Sequence, residues 1–430
     1  MIVVRAAAVA FLLGLFLQST DGSVFITVSS LPGRKVELNW ALNDTVDTVS
    51  LHLNDPEGIE DSEALVNVTI SDYPNGYYKT DIEFNPEPFP GGWSYEDDGN
   101  EETEDGEESS RSFCLYWIAA VSDGQIMEKN CLGIEPAWMS EYRAELRRLT
   151  LPKLFLPGTH NSGCDKMKLG RVRRGSKIDS FVLTQDQSIW NQLVYGIRFL
   201  DLRIGYYTQV KEKEDLRFWI NHDLLGVQPL IPVLRDIKRF AESSPEEVIV
   251  LDFHRFPVGF KRKTAAAIHR DLVSLIGWEL GDLILPRPKN ASELTLEDIW
   301  KTKQRIVISY NNENSVRETP WLWDPVIQKW GNKQTPSDLE KFLNDSFKDI
   351  MPKNRLWAAM AELTPTPLDF LNDSSLRSMA DSVNRLLSFW FEENEEWTSN
   401  ANIVATDFFL GNNLVQRAIE ENLRRAKELD

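Results

Sequence analysis

The chain has 430 residues, of which 42% are hydrophobic and 10% aromatic. This length favours two domains over one, and the apolar content is sufficient for ordinary hydrophobic cores. The formal net charge of −19 at pH 7 argues against nucleic acid as a partner, because phosphate-binding surfaces need an excess of Lys and Arg. Much of this charge is local, since nine acidic residues lie between Glu96 and Glu108. Residues 95–111 are therefore predicted to be a solvated, disordered loop.

Residues 1–22 are typical of a secretory signal peptide. Arg5 precedes an apolar stretch from Ala6 to Leu17, which is short for a membrane span, and small residues suited to cleavage follow near Gly22. An uncleaved membrane anchor is the alternative. No later stretch is long and apolar enough to cross a membrane, so we expect a mature protein that is secreted or resides in the lumen of the secretory pathway.

Two further features fit that compartment. Cys114 and Cys131 flank a hairpin-like segment and are predicted to form a disulfide, whereas Cys164 is predicted to be a small buried residue rather than a nucleophile. Glycosylation triplets, which also arise by chance, predict a glycoprotein and occur at Asn43, Asn67, Asn290, Asn344 and Asn372.

Residues 23–139 are predicted to form a small antiparallel β-sandwich. Short alternating runs, separated by Pro and Gly, occur at 24–28, 36–40, 49–53 and 113–119. This region contains no group of residues that suggests catalysis. It could position an enzyme or bind a partner, and both readings stay open.

Residues 140–430 have a different pattern, in which strand-like runs alternate with helical stretches. Repeated βα units predict a parallel sheet. The strand-like runs are at 153–160, 196–204, 217–222, 247–254, 304–310, 355–362 and 402–409. The helical stretches are near 186–194, 229–243, 261–276, 336–348, 376–393 and 412–428.

Two of the five histidines stand at the ends of predicted strands. His160 follows Leu156-Pro157-Gly158-Thr159, and His222 ends the run 217–222. Two imidazoles that face one ligand can serve as general base and general acid near pH 7. Between them in the chain lies the run 198–203, whose arginines cannot lose their charge and could neutralise a phosphate.

These motifs resemble the catalytic X region of phosphatidylinositol-specific phospholipase C. The resemblance extends from about residue 150 to residue 425 and is greatest for the X-domain-only proteins of animals and bacteria, because the chain has no room for further catalytic or membrane-binding modules. It implies an α/β fold with a closed or slightly incomplete (β/α) TIM-type barrel, rather than an open doubly wound sheet. The motifs that carry it are Leu156–Ser162, Gly196–Arg203, Glu247–His254 and Ala401–Phe409.

The resemblance also implies a role for each motif residue. His160 would be the general base that deprotonates the inositol 2-hydroxyl, which then attacks the adjacent phosphorus. Asp407 would orient His160, and His222 would protonate the departing diacylglycerol oxygen. Asp201 and Arg203 share one strand face and would aim the guanidinium at phosphate, a role compatible with a simple buried ion pair.

The resemblance predicts a site that works without calcium or any other cofactor. In metal-dependent relatives, acidic residues on two strands hold calcium together with an asparagine. Here Asn161 is present, but the other two positions hold Arg203 and His254. A fixed positive charge would repel the ion. Asn161 also replaces the aspartate that assists the acid in bacterial members, which puts the rate in doubt.

The remaining candidate residues concern substrate binding. His254 and Glu362 match positions that contact inositol hydroxyls, with changed residue types. A basic stretch after His160 could attract anionic lipid, serve as a processing site or be a plain solvated loop, and Trp321, Trp323 and Trp330 could meet a membrane or pack under a loop. The basic residues proposed for substrate binding are Lys166, Arg171, Arg173 and Arg174.

The predicted function is cleavage of phosphatidylinositol, or of a glycosylated relative, at a peripheral membrane surface into diacylglycerol and a cyclic inositol phosphate. Two alternatives remain. A glycerophosphodiester phosphodiesterase would need acidic metal ligands near its first histidine, where this chain has Asn161 and Ser162. A weak or inactive lipid- or protein-binding barrel is the other alternative, which the survival of both histidines, the arginine and the last aspartate disfavours.

Overall fold

The computed structural model describes residues 22–42, 46–57, 63–86, 88–94, 112–165, 179–208, 217–261, 263–349, 351–369 and 374–429. The predicted signal peptide up to residue 21, the acidic loop 95–111, and the sequons at Asn43 and Asn372 lie outside these residues. The described chain divides into two compact units. The segments Ser29–Arg34 and 85–113, which interrupt the first unit in sequence, group with the second.

The first unit contains two antiparallel sheets. One has three strands in the order β1-β2-β5 and the other has four in the order β4-β3-β6-β7. Val36 and Leu38 on β2 and Val49 and Leu51 on β3 are fully buried. A disulfide joins Cys114 on β6 to Cys131 on β7, as predicted. The strands are β1 (Gly22–Val28), β2 (Lys35–Leu42), β3 (Thr48–His52), β4 (Val66–Thr69), β5 (Tyr77–Glu83), β6 (Phe113–Ser122) and β7 (Gln125–Ile134).

The second unit is built on a curled parallel sheet, whose paired strands run in the order β14-β13-β12-β9-β8-β17-β16-β15. The sheet is not closed, because β14 and β15 are its two ends. The strands are β8 (Leu156–Thr159), β9 (Phe199–Tyr206), β10 (Phe218–His222), β11 (Leu225–Pro229), β12 (Ile249–Val258), β13 (Ile306–Tyr310), β14 (Leu322–Trp323), β15 (Ile327–Trp330), β16 (Trp357–Met360) and β17 (Ile403–Thr406).

Helices connect these strands and cover the sheet. The helix α9 shows why they form where they do: Ser375 caps its first turn, and buried residues recur every three or four positions along one face. The helices are α1 (Trp138–Glu141), α2 (Arg143–Leu146), α3 (Ile189–Val194), α4 (Leu230–Ser243), α5 (Ala265–Leu280), α6 (Leu296–Trp300), α7 (Glu313–Glu318), α8 (Pro336–Lys348), α9 (Leu376–Glu393), α10 (Glu395–Asn400) and α11 (Leu414–Lys427).

One strand departs from the predicted topology. The run 217–222 was predicted as part of a parallel sheet, but β10 pairs antiparallel with both β9 and β11. Alternating patterns do not distinguish parallel from antiparallel pairing, so the sequence could not show this. Asp223 lies in the tight turn of this hairpin, with φ 46°. Across the described residues, no helix is long and apolar enough to span a membrane.

Candidate active site

The candidate residues meet where strands of the curled sheet end. His160 follows β8, Arg203 lies on β9, Glu362 comes soon after β16, and Asp407 follows β17. The ends of neighbouring parallel strands lie side by side, so the fold brings together residues that are far apart in sequence. His222 is the last residue of the antiparallel strand β10, which pairs with β9.

His160 makes a hydrogen bond through each of its ring nitrogens. Its Nδ1 lies 2.8 Å from Asp407 Oδ1, and its Nε2 lies 2.7 Å from an Arg203 guanidinium nitrogen. Asn161 Nδ2 lies 3.3 Å from the same Nε2. Because arginine can only donate, Nε2 accepts and Nδ1 carries the proton that is donated to Asp407. The lone pair of Nε2 is therefore available for a proton when Arg203 turns to a ligand.

Burial and charge act in opposite directions on His160. Burial lowers its pKa, but the carboxylates of Glu362 and Asp407 more than offset this and leave the pKa above its usual value. Glu362 Oε1 lies 3.9 Å from Nε2. The imidazolium that would form after proton abstraction is thus stabilised on both sides of the ring.

Asp201 holds two other groups in place. Its Oδ2 accepts hydrogen bonds from Arg203 at 3.3 Å and from the backbone N–H of Asn161 at 3.0 Å. Although burial raises the pKa of Asp201, the charges of Arg203 and nearby histidines lower it to about 2. Asp201 is therefore a fixed anion that orients Arg203 toward His160.

His222 is anchored through one nitrogen and leaves the other for chemistry. Its Nδ1 lies 2.8 Å from the carbonyl oxygen of Val182, so this nitrogen carries a proton and Nε2 is the titrating atom. Burial, together with the charges of Arg203 and His160, lowers its pKa. A bound phosphate would reverse part of this effect, because an anion favours the protonated imidazole.

The structure adds a carboxylate that sequence reasoning missed. Asp252 on β12 accepts hydrogen bonds from Ser309 Oγ at 2.6 Å and from Gln328 Nε2 at 2.9 Å, and Gln328 also donates to Asp201 at 3.3 Å. Burial raises the pKa of Asp252 to about 7. An aspartate within the apolar run 249–253 was the available signal, but it indicated no partner.

His254 lies beside this group. Its Nδ1 is 3.7 Å from Asp252 Oδ2, which is too long for a hydrogen bond. Burial lowers the pKa of His254 to about 4, so its ring is neutral at pH 7. A neutral imidazole can accept a hydrogen bond from a hydroxyl group, as the predicted contact with a polyol requires.

Several buried polar atoms around His160 make no hydrogen bond among the described residues. Both oxygens of Glu362 are among them, and burial raises the pKa of this carboxyl to about 7. Buried polar groups are normally paired, so a cluster of unpaired ones marks the place of a polar ligand. The others are Asn161 Oδ1, His254 Nδ1 and Arg203 Nε.

Charged groups of both signs lie at the candidate site. Within the described ranges, no group of three or more His, Cys, Asp or Glu residues could hold a metal ion. Arg203 brings a fixed positive charge beside His160 and Asp201, and its predicted role in place of a metal stays a prediction. The basic residues Lys166, Arg171, Arg173 and Arg174 lie outside the described residues, so their predicted role stays a prediction.

The three candidate interfacial tryptophans differ in position. Trp323 is buried on β14 and donates to the carbonyl of Leu285 at 2.9 Å, so it packs in the interior. Trp330 on β15 is 45% exposed and donates to Thr364 Oγ1 at 3.1 Å. Of the two alternatives, packing in the interior holds for Trp323, and contact with a membrane stays a prediction for Trp321 and Trp330. Cys164 is free and fully buried, as predicted.

Solved structures define the class of fold. A phosphatidylinositol-specific phospholipase C from Staphylococcus aureus matches 66% of this chain and 97% of its own, with a TM-score of 0.51 and 17% sequence identity. A mutant of the same enzyme matches with a TM-score of 0.50 and 15% identity. The fold is therefore the TIM-type barrel of these bacterial proteins, and the predicted α/β barrel, with small antiparallel sheets before it, is confirmed.

Sequence comparison identifies similar proteins by name. PI-PLC X domain-containing protein 1 from Homo sapiens is 26% identical over 327 residues, which is 70% of this chain and 98% of that protein. PI-PLC X domain-containing protein 3 from Danio rerio is 26% identical over 294 residues, 63% of this chain and 88% of that protein. No protein-family model matches the chain. The predicted resemblance is confirmed: the chain is similar to the PI-PLC X domain-containing proteins over about two thirds of its length.

Proposed function

We propose that this chain is a phosphodiesterase that cleaves phosphatidylinositol-type lipids, either phosphatidylinositol itself or a glycosylated form. The fold and the relatives support a phospholipase of this general type. The observation that carries the proposal is the hydrogen-bonded series Asp407–His160–Arg203, with distances of 2.8 Å and 2.7 Å. Asp407 orients the His160 ring through Nδ1, and the Arg203 cation contacts Nε2, the nitrogen that would accept the proton.

The proposed reaction has two balanced proton transfers. The inositol 2-hydroxyl loses its proton to His160 Nε2, and its oxygen forms a bond to phosphorus. The bond from phosphorus to the diacylglycerol oxygen breaks, and that oxygen takes a proton from His222. Arg203 neutralises the phosphate throughout. The products are diacylglycerol and a cyclic inositol phosphate, and water need not enter this step.

A non-catalytic lipid-binding barrel is the second candidate. It is favoured by two pKa shifts at the site, because the pKa of the proposed base, His160, is raised and that of the proposed acid, His222, is lowered. Catalysis needs the reverse, which phosphate binding must induce in His222. Asn161 stands in place of a carboxylate, and its neutral side chain raises the pKa of His222 less than a carboxylate would.

The proposal includes independence from calcium and a place in the secretory pathway. The deciding assay incubates purified protein with phosphatidylinositol and other phosphodiesters in excess chelator and identifies the released head group. We expect a cyclic inositol phosphate. Binding without release would favour the second candidate, and inactivity that calcium alone restores would contradict the role of Arg203. Endoglycosidase treatment of protein from culture medium tests secretion and glycosylation together.

A further inference from the structure

The orientation of Asp407 depends on the residue that follows it. Phe408 has φ 47° and ψ 57°, a left-handed conformation that is unfavourable for a bulky side chain. Its backbone N–H donates to the carbonyl of Thr184 at 2.8 Å. Asn384 Nδ2 donates to the carbonyls of Asp407 at 2.8 Å and of Phe408 at 3.0 Å. The surroundings thus hold a backbone conformation that the sequence alone disfavours.

Arg377 provides a second support for the same turn. Its guanidinium carbon lies 4.5 Å from the centre of the Phe408 ring, which is 3% exposed. The guanidinium is fixed from behind, because it donates to the carbonyl of Ser30 at 2.9 Å and pairs with the carboxylate of Asp186. The Arg377 side chain therefore links the ring of Phe408 to the segment Ser29–Arg34.

That segment makes further contacts with the same face of α9. Asp381 Oδ1 accepts hydrogen bonds from Ser29 Oγ and from the backbone N–H of Ser30, each at 2.8 Å. Arg377, Asp381 and Asn384 are spaced by four and three positions, so they share one side of the helix. One side of α9 thus contacts both the segment Ser29–Arg34 and the turn that carries Asp407.

We propose that the segment Ser29–Arg34 and this face of α9 hold Asp407 in the orientation that His160 requires, which makes Arg377, Asp381 and Asn384 positioning residues. The inference rests on the proposed role of His160 as the base. In the chain, this segment joins β1 to β2. A connection in the N-terminal part of the sequence would therefore support the catalytic pair.

Loss of these contacts would change the backbone turn at Phe408. Without Arg377, or with Ser29–Arg34 released, Phe408 can leave the left-handed region, and the Asp407 carboxylate moves with the backbone. His160 then loses the acceptor that fixes its Nδ1–H form. A displacement of about 1 Å at a catalytic group can lower the rate on the order of a hundredfold.

The test measures His160 directly by imidazole NMR in the full chain. With five histidines in the protein, a His160→Gln spectrum assigns the resonance. The variants are Arg377→Ala and Asp381→Ala, with Asp381→Asn retaining one acceptor oxygen and Arg385→Ala removing another arginine from α9. Because the Asp407 carboxylate raises the pKa of His160, we expect that pKa to fall in the first two, to fall less in Asp381→Asn, and to stay unchanged in Arg385→Ala.

Folding is checked by circular dichroism, and Arg377→Gln replaces Arg377→Ala if the latter does not fold. A wild-type titration in folded Arg377 and Asp381 variants would overturn the proposal and leave Ser29–Arg34 a structural segment only. Turnover is measured separately: if lipid is cleaved, kcat should fall about 10- to 100-fold and the acidic limb of the pH profile should move to lower pH. A shifted titration without any turnover would support the positioning role and reject the proposed function.

Discussion

The run 198–203 begins and ends with an arginine, and the structure uses the two in opposite ways. Arg198 is fully buried, pairs with Glu247 at 2.8 Å and donates to backbone carbonyls through its other nitrogens. Arg203 contacts His160 and Asp201, and its Nε is unpaired among the described residues. The carbonyls that Arg198 reaches belong to Leu193, Ile197, Glu135 and Pro136.

The difference separates a structural network from one that is ready for a ligand. A saturated arginine has no hydrogen bond left to offer, so it can only stabilise the fold. An unsaturated one in a pocket with other unpaired groups gains its remaining partners when a ligand binds. Residue type does not reveal this distinction, because both arginines stand in one short motif with an aspartate between them.

The largest expected effect is on the candidate site, to which Arg203 belongs. Replacing His160 or His222 with alanine should each lower turnover by ~10²–10⁴-fold, because each handles one of the two protons. The fold should persist, since neither side chain supports the core. Turnover and thermal unfolding are measured on the same preparations. A folded variant that keeps more than about a tenth of wild-type activity would contradict that assignment.

Changes around Arg198 should lower stability rather than turnover. Glu247→Ala leaves the Arg198 charge buried without its carboxylate, which typically costs ~3–5 kcal/mol. That is a large part of the ~5–15 kcal/mol by which domains are stable. Denaturant unfolding measures the loss, and Glu145→Ala, an exposed glutamate, is the control. Equal midpoints for the two variants would show that the pair is not needed for stability.

Glu362 should link the candidate site to pH. Its folded pKa of about 7 lies above the ordinary value of 4.5, so the folded chain binds the extra proton, and stability is lost as pH rises through this range. Glu362→Gln removes the buried charge. Its stability advantage over wild type should grow by about 2.5 kcal/mol from pH 5 to pH 8.

Unfolding curves at both pH values test this, with the exposed Glu340→Gln as control. A constant difference between Glu362→Gln and wild type would mean that the carboxyl titrates normally. It would also count against a role for the Glu362 carboxylate in binding a polar ligand.

The smallest effect per residue concerns the basic stretch after His160, whose role in lipid binding is still a prediction. Neutralising Arg171, Arg173 and Arg174 should weaken binding to anionic vesicles, by at most about 1 kcal/mol for each charge and less at high salt. Cleavage of a short-chain soluble substrate should be unaffected. Vesicle sedimentation at two salt concentrations is the measurement, and unchanged binding would leave a solvated loop or a processing site.

The strand ends could be predicted from the sequence because turns and polar residues interrupt clear apolar runs there, whereas the site residues were predicted mainly from the resemblance to the phospholipase X region. His160, Arg203 and Asp407 lie together as expected. The sequence could not show that β10 runs antiparallel, since the alternation is the same in both directions. It also could not show the bridge from Asp201 through Gln328 to Asp252, which depends on strand register rather than on local pattern.

The sheet of the second unit begins at β14 and ends at β15, two short strands separated by the residues 324–326. A fully closed barrel has no terminal strand, whereas this sheet has two, and among the described residues no further strand pairs with their outer edges. Amide hydrogen exchange should therefore start at this opening and reach β8 and β9 last. The strands that carry His160 and Arg203 lie at the centre of the strand order, farthest from either end.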